Sequence, residues 1–183
     1  MTHPALTEAL RDAERLQDRA QIDAAITRIA GEIDATLAGD VPIYLSVMNG
    51  GLIFAGALAL AVGNDLEFDY VHATRYRGGT RGQDLHWIKA PSASMRNRTV
   101  LIADDILDEG YTLRAIRDYC ISQGAARVLI AVLCEKRHGR TAPGIKADFV
   151  GVEVPDRYVF GFGMDYYEQG RNLPGIYALR ETP

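Results

Sequence analysis

Two nearly unbroken aliphatic runs, "TVLIADD" at 99–105 and "ARVLIAVLC" at 126–134, constrain the fold of this chain most strongly. A strand with one wet face alternates apolar and polar residues, whereas a continuous Val/Ile/Leu run needs cover on both faces. Between the runs, residues 112–123 carry helical spacing, and Gly124 stands where a helix stops. Upstream, "PIYLSV" at 42–47 is β-rich, "MNGG" breaks it, and an apolar helical stretch follows from Leu52. "LEFDYVHATRY" at 66–76 and "LHWIKA" after it read as strands. So do "ADFVGVEV", "RYVFGF" and "GIYAL", beyond the turn at Pro143–Gly144. Strands alternating with helices predict an α/β fold with a mainly parallel sheet flanked by helices. The first forty residues read as helix, with Ile22, Ile26, Ile29, Ile33 and Leu37 lining one face.

Ligands of such sheets collect beyond the carboxyl ends of the strands. There the first aliphatic run ends in charge: "LIADDILDEGYT" at 101–112 passes through Asp104, Asp105, Asp108 and Glu109 to Gly110, Tyr111 and Thr112. Gly110 lets the backbone turn so that successive N–H groups point one way, an anion nest. A helix starting near Thr112 adds free N–H groups, a positive dipole end and a hydroxyl. Carboxylates one turn away accept hydrogen bonds from sugar hydroxyls or share Mg²⁺ with them. Together these groups suit a sugar phosphate. A solvated strand end followed by a helix cap at Asp108 would use the same residues. A receiver domain also places paired Asp after a strand, but it needs about 100 further residues, and only 78 follow Asp105 here.

Composition narrows the partners. A net charge of −4 offers no broad basic surface for nucleic acid or anionic lipid, so an anion must be held locally. The longest apolar stretch, "GLIFAGALALAV" at 51–62, is too short to span a bilayer, and the N-terminus shows no signal-peptide pattern. Cys120 and Cys134 form no metal or redox spacing and read as buried free thiols. The expectation is a cytoplasmic protein without membrane or nucleic-acid partners.

"VLIADDILDEGYTL" resembles the phosphoribosyl-pyrophosphate (PRPP) motif of type I phosphoribosyltransferases. "KADFVGVEVPDRYVFGFGMDYYEQGRNLPGIYAL" is similar to the C-terminal region of the 6-oxopurine salvage enzymes of that family, and "VMNGG" sits at their pyrophosphate loop. The match runs from about residue 41 to 179 with the motifs in family order. The resemblance implies one domain over 1–183: a helical segment 1–40, a core 41–145 and a base-binding segment 146–183. The terminal segments would form a small hood. The implied activity is transfer of 5-phosphoribosyl from PRPP to hypoxanthine or guanine with Mg²⁺, in a homodimer or homotetramer.

Carried over residue by residue, the resemblance gives Asp104 and Asp105 the ribose hydroxyls and Mg²⁺, and Asp108 through Thr112 the 5′-phosphate. Asp108 would also be the catalytic base. Lys146 would donate to the 6-oxo group, Tyr158 would stack on the base, and the backbone of Val159 would bond its edge. Asp165 would hold a second Mg²⁺ and Arg171 would clamp pyrophosphate. Asn49 stands where the family carries a basic residue, but the N–H groups of Asn49, Gly50 and Gly51 still suit pyrophosphate, and a cis bond before Asn49 is implied. Glu109 replaces a small hydroxyl residue.

The glycine-rich stretch 77–84 has the composition of a lid, with Arg75 and Tyr76 at its hinge. Two alternatives remain open. A xanthine-preferring enzyme would look the same. A PRPP- or nucleotide-sensing regulator on this fold would favour basic N-terminal helices, whereas residues 1–40 carry eight acidic and four basic side chains.

Overall fold

The computed structural model describes residues 5–75 and 85–180. In chain order its elements are α1 (Leu6–Asp12), β1 (Glu14–Gln17), α2 (Arg19–Leu37), β2 (Ile43–Met48), α3 (Leu52–Ala61), β3 (Glu67–Arg75) and β4 (Leu85–Lys89). They continue as β5 (Thr99–Leu107), α4 (Tyr111–Ser122), β6 (Arg127–Lys136), β7 (Phe149–Val154), β8 (Val159–Phe160) and β9 (Ile176–Ala178).

Six strands form one sheet in the order β4-β3-β2-β5-β6-β7. Every neighbouring pair in it is parallel except β3–β4, which is antiparallel. The aliphatic runs occupy its centre. Along β5, Leu101 and Ala103 join a core with α2 and α3, while Val100 and Ile102 join a second core with α4. Period-two alternation therefore delivers apolar side chains to both faces, the cover that an unbroken aliphatic run demands. The Ile22–Leu37 stripe of α2 is buried as its spacing predicts. A capping box at Asp18 and Gln21 starts that helix, with reciprocal 2.9 Å bonds. Truncating fully buried Ile29 to Ala would cost about 2–5 kcal/mol.

The N-terminal segment departs from the helical expectation. Residues 14–17 form a strand that pairs antiparallel with β9, which pairs with β8 in a three-stranded sheet. Ala13 and Asp18, either side of it, are extended. The pairing joins the two ends of the chain, so local periodicity carried no sign of it. A small core of Ala9, Phe160 and Tyr166 seals this hood.

The hood's loop closes onto the carboxyl ends of β2 and β5. A Cβ at Gly163 would lie 2.2 Å from the Gly50 carbonyl oxygen, and one at Gly50 would lie 2.1 Å from Asp105 Oδ2. A side chain at Gly163 would strike backbone and one at Gly50 would displace the Asp105 carboxylate, so the two glycines let three segments come together.

Candidate active site

A cleft of about 400 Å³ opens at the carboxyl ends of β2 and β5. Asn49 and Gly50 enter it from the turn before α3, and the Met48–Asn49 peptide is cis, as the resemblance implied. Asp104 and Asp105 enter from β5, and Asp108, Glu109, Gly110 and Thr112 from the turn into α4. Asp165 and Arg171 enter from the hood. Met48, His72, Thr74 and Glu168 also line it, and none of these was expected from the sequence. Two expected residues lie beside the cleft rather than in its wall. Gly51 is the N-cap of α3 and packs so closely on β2 and β5 that a Cβ would meet the Val47 carbonyl at 2.6 Å. Tyr111 opens α4, with the Arg114 guanidinium 5.4 Å from its ring centre.

The turn into α4 has the geometry of an anion nest. Gly110 is left-handed at φ 77° and has no side chain with which to cap the helix. A Cβ there would sit 2.7 Å from Ile145 and 2.8 Å from Leu107. The first turn of α4, with Thr112 and Leu113 in the wall, thus presents its positive end to the cleft.

Asp104 and Asp105 are buried, and Asp104 Oδ1 accepts the Asp105 N–H at 2.9 Å. Loss of water, then the charge of Asp105, drives the Asp104 carboxyl well above the ordinary carboxylate range. Burial also raises Asp105, although its hydrogen bond with Asp104 and the nearby Arg171 guanidinium oppose the rise. Arg171 pairs with Asp165 at 3.0 Å and Glu168 at 3.2 Å, and donates to the Gly163 carbonyl at 2.9 Å.

A second cavity of about 240 Å³ adjoins the first and shares Asp105, Ile106, Asp108 and Asp165 with it. Lys136, Tyr158, Val159 and Met164 complete its wall. The Tyr158 hydroxyl donates to the Asp165 carbonyl at 3.2 Å, which ties the aromatic ring to the hood loop. Asp108 stands between the cavities, gripped by Lys136 Nζ at 2.6 Å on Oδ2 and by His138 Nε2 at 2.6 Å on Oδ1. Burial alone would raise this carboxyl, but the hydrogen bonds from Lys136 and His138 outweigh it and hold it below the usual range.

The lysine of this cavity is not the expected one. Lys146 is exposed and lines neither cavity, whereas Lys136 lines the second. The strand reading stopped at Cys134, but β6 runs two residues further, and its carboxyl end carries Lys136 into the cleft. Pairing of Glu135 with Glu153 and of Lys136 with Val154 extends it. A lysine directly beyond a parallel strand was the available signal. Arg75 is the last residue of β3; Tyr76 and the expected lid 77–84 lie outside the described residues.

The model for the phosphoribosyl transferase domain matches residues 12–169. The chain belongs to the phosphoribosyltransferase family. Hypoxanthine-guanine phosphoribosyltransferases from Streptococcus pneumoniae and Bacillus subtilis are 33% and 34% identical to it, over 88% and 87% of this chain and 89% of each relative. A crystal structure of a hypoxanthine phosphoribosyltransferase from Staphylococcus aureus superposes with a TM-score of 0.88 at 28% identity, covering 97% of both chains. The sheet of this phosphoribosyltransferase puts its acidic motif at the carboxyl end of a central strand.

Among the described residues, no three His, Cys, Asp or Glu side chains form a ready metal cluster. The available donors are carboxylate oxygens. Such a set fits Mg²⁺, which binds through one or two carboxylates together with substrate oxygens.

Proposed function

We propose that this phosphoribosyltransferase joins the 5-phosphoribosyl group of PRPP to N9 of hypoxanthine or guanine, releasing pyrophosphate. One observation carries the reading. A phosphate-type turn, a pair of buried carboxylates and a cavity walled by Lys136 and Tyr158 meet at a single carboxylate, Asp108. The backbone around Gly110 and the start of α4 hold the 5′-phosphate, and Asp104 and Asp105 accept the ribose hydroxyls. Arg171, with the N–H groups of Asn49, Gly50 and Gly51, receives pyrophosphate. Asp104 and Asp105 would hold one Mg²⁺ and Asp165 a second, each together with the substrate's oxygens, where the metal would supply charge neutralisation at the leaving group.

The purine lies against Tyr158 with its edge at the Val159 backbone. Lys136 donates to its 6-oxo group, a role that only a carbonyl can satisfy because an ammonium has no acceptor. As N9 bonds to the anomeric carbon, the bond to pyrophosphate breaks and Asp108 takes the proton from N7. The surrounding carboxylates favour the positive charge that develops on the sugar.

The chain acts as one domain over residues 1–183, with its core in 41–145 and most of the base pocket in 146–183; Lys136 is the core's contribution to that pocket. Exposed Leu52, Ile53 and Leu60 on α3 and Phe68 on β3 support a homo-oligomer. Two buried free thiols, Cys120 and Cys134, are in keeping with a reducing cytoplasm.

The test is direct: incubate the enzyme with PRPP and Mg²⁺, offer hypoxanthine, guanine, xanthine or adenine, and follow nucleotide formation. Hypoxanthine and guanine should react. A nucleotide from xanthine alone would reassign the substrate, and no nucleotide from any base would end the reading. Adenine turned over as fast as hypoxanthine would remove Lys136 from its role.

A further inference from the structure

Asp108 accepts from two donors, and they differ in kind. Lys136 reaches Oδ2 from within the base cavity, where a substrate can compete for it. His138 reaches Oδ1 from behind, its side chain only 2% exposed. The Arg140 backbone N–H donates to His138 Nδ1 at 3.0 Å, so Nδ1 is an acceptor and the ring proton lies on Nε2, directed at Asp108. Both ring nitrogens are thereby committed.

The loop that carries this ring is itself tied down. Arg140 makes a bidentate pair with Asp156, at 2.7 Å on each oxygen. Arg137 pairs with Glu153, and its backbone N–H donates to the Val154 carbonyl at 3.0 Å. The histidine thus comes to Asp108 from a segment pinned to the end of β7.

We propose that His138 is a positioning residue for phosphoribosyl transfer, holding Asp108 through Oδ1 while Lys136 turns from Oδ2 to the 6-oxo group of the purine. This rests on the proposed reading of Asp108 as the proton acceptor. The chemistry requires such a division. While Lys136 holds Oδ2, the oxygen nearest the base is engaged by a cation. When the purine draws Lys136 away, Oδ2 is released to accept the N7 proton, and a carboxylate without a second donor would be free to rotate out of line. His138 is the donor that the substrate does not remove. It touches neither substrate nor reacting atom and acts through Asp108 alone.

Steady-state kinetics on the full-length enzyme with PRPP, Mg²⁺ and hypoxanthine test this. His138→Phe keeps a ring and removes the donor, whereas His138→Gln places an amide N–H where Nε2 stood. In His138→Phe, kcat should fall about 10-fold, the loss expected for a hydrogen bond to a charged group, with the KM for PRPP within about 2-fold of wild type. His138→Gln should recover most of the loss. Equal kcat in His138→Phe and wild type would overturn the proposal, as would a loss that falls on the KM for PRPP, or a Gln variant as impaired as Phe.

If the Phe variant does not fold, ¹⁵N spectra of the wild-type imidazoles decide, assigned with His138→Gln. A His138 ring that carries a proton on Nε2 at pH 7.5 supports the proposal, and one protonated on Nδ1 alone overturns it. Wild-type enzyme that makes no nucleotide from any purine would instead sink the underlying reading of the function.

Discussion

Two carboxylate sites three residues apart at the end of one strand are shifted in opposite directions. Asp104 and Asp105 are buried against each other and pushed up. Asp108, half-exposed, has an ammonium and an imidazole on its oxygens and is pulled down. The first site is electrostatically unfinished and gains by binding a cation or a row of hydroxyls. The second already has its donors, and under the proposed reading it becomes reactive when one of them leaves. Burial alone would have raised all three, so the local donors decide the sign.

The largest expected effect breaks the second site. Asp108→Asn should lower kcat by at least about 100-fold, the scale of general-base catalysis, while PRPP binding measured by calorimetry changes little. Near-normal turnover in this variant would take the proton-accepting role from Asp108. Its stability should respond to pH as well. The wild-type carboxyl is shifted down in the fold, so its contribution is present above the unfolded value of 3.8 and lost as pH falls through the folded value. Wild type should therefore exceed the variant in melting temperature at neutral pH and converge with it in acid.

Next in size is the choice of lysine. Lys136→Gln should reduce kcat/KM for hypoxanthine about 10- to 100-fold, as loss of a charged hydrogen bond to substrate does. Lys146→Gln, at an exposed position, should stay within about 2-fold. The reverse ranking would restore Lys146 to the base site.

The smallest effect sharpens the first site. A carboxyl raised in the fold binds its proton more tightly folded than unfolded. Stability then declines as pH rises from the unfolded value of 3.8 through the raised folded value, and the penalty persists above it. Asp104→Asn should accordingly melt about 3 °C higher than wild type near pH 7.5 and lose that advantage in acid. With PRPP and Mg²⁺ present the order should reverse, since the variant gives up part of the ligand site. A variant less stable than wild type at pH 7.5 without ligand would contradict the assigned strain.

The legible parts of the site share a physical origin. The turn from Asp104 to Thr112 is contiguous in the chain, so its glycine, its acids and the start of α4 could be read together, and the cleft contains most of them. The second cavity is assembled from three separate stretches, around Asp108, Lys136 and Tyr158–Asp165. Lys136 and Lys146 lie near each other in sequence, and only the two extra residues of β6 put one inside and leave the other in solvent. His138, after a strand whose end was misplaced, carried no signal of its own. Residues 14–17 failed for the same reason, because their partner is Ile176–Ala178.

By itself the sequence determined the sheet, because unbroken aliphatic runs and period-two burial are properties of single strands. It also determined the phosphate-type turn, whose groups are neighbours along the backbone. Tertiary structure alone decided which cation meets Asp108, how the hood closes through Gly50 and Gly163, and in which direction each carboxyl shifts. Those outcomes depend on distances between segments that are remote in the chain, and charge interactions and desolvation are set by such distances.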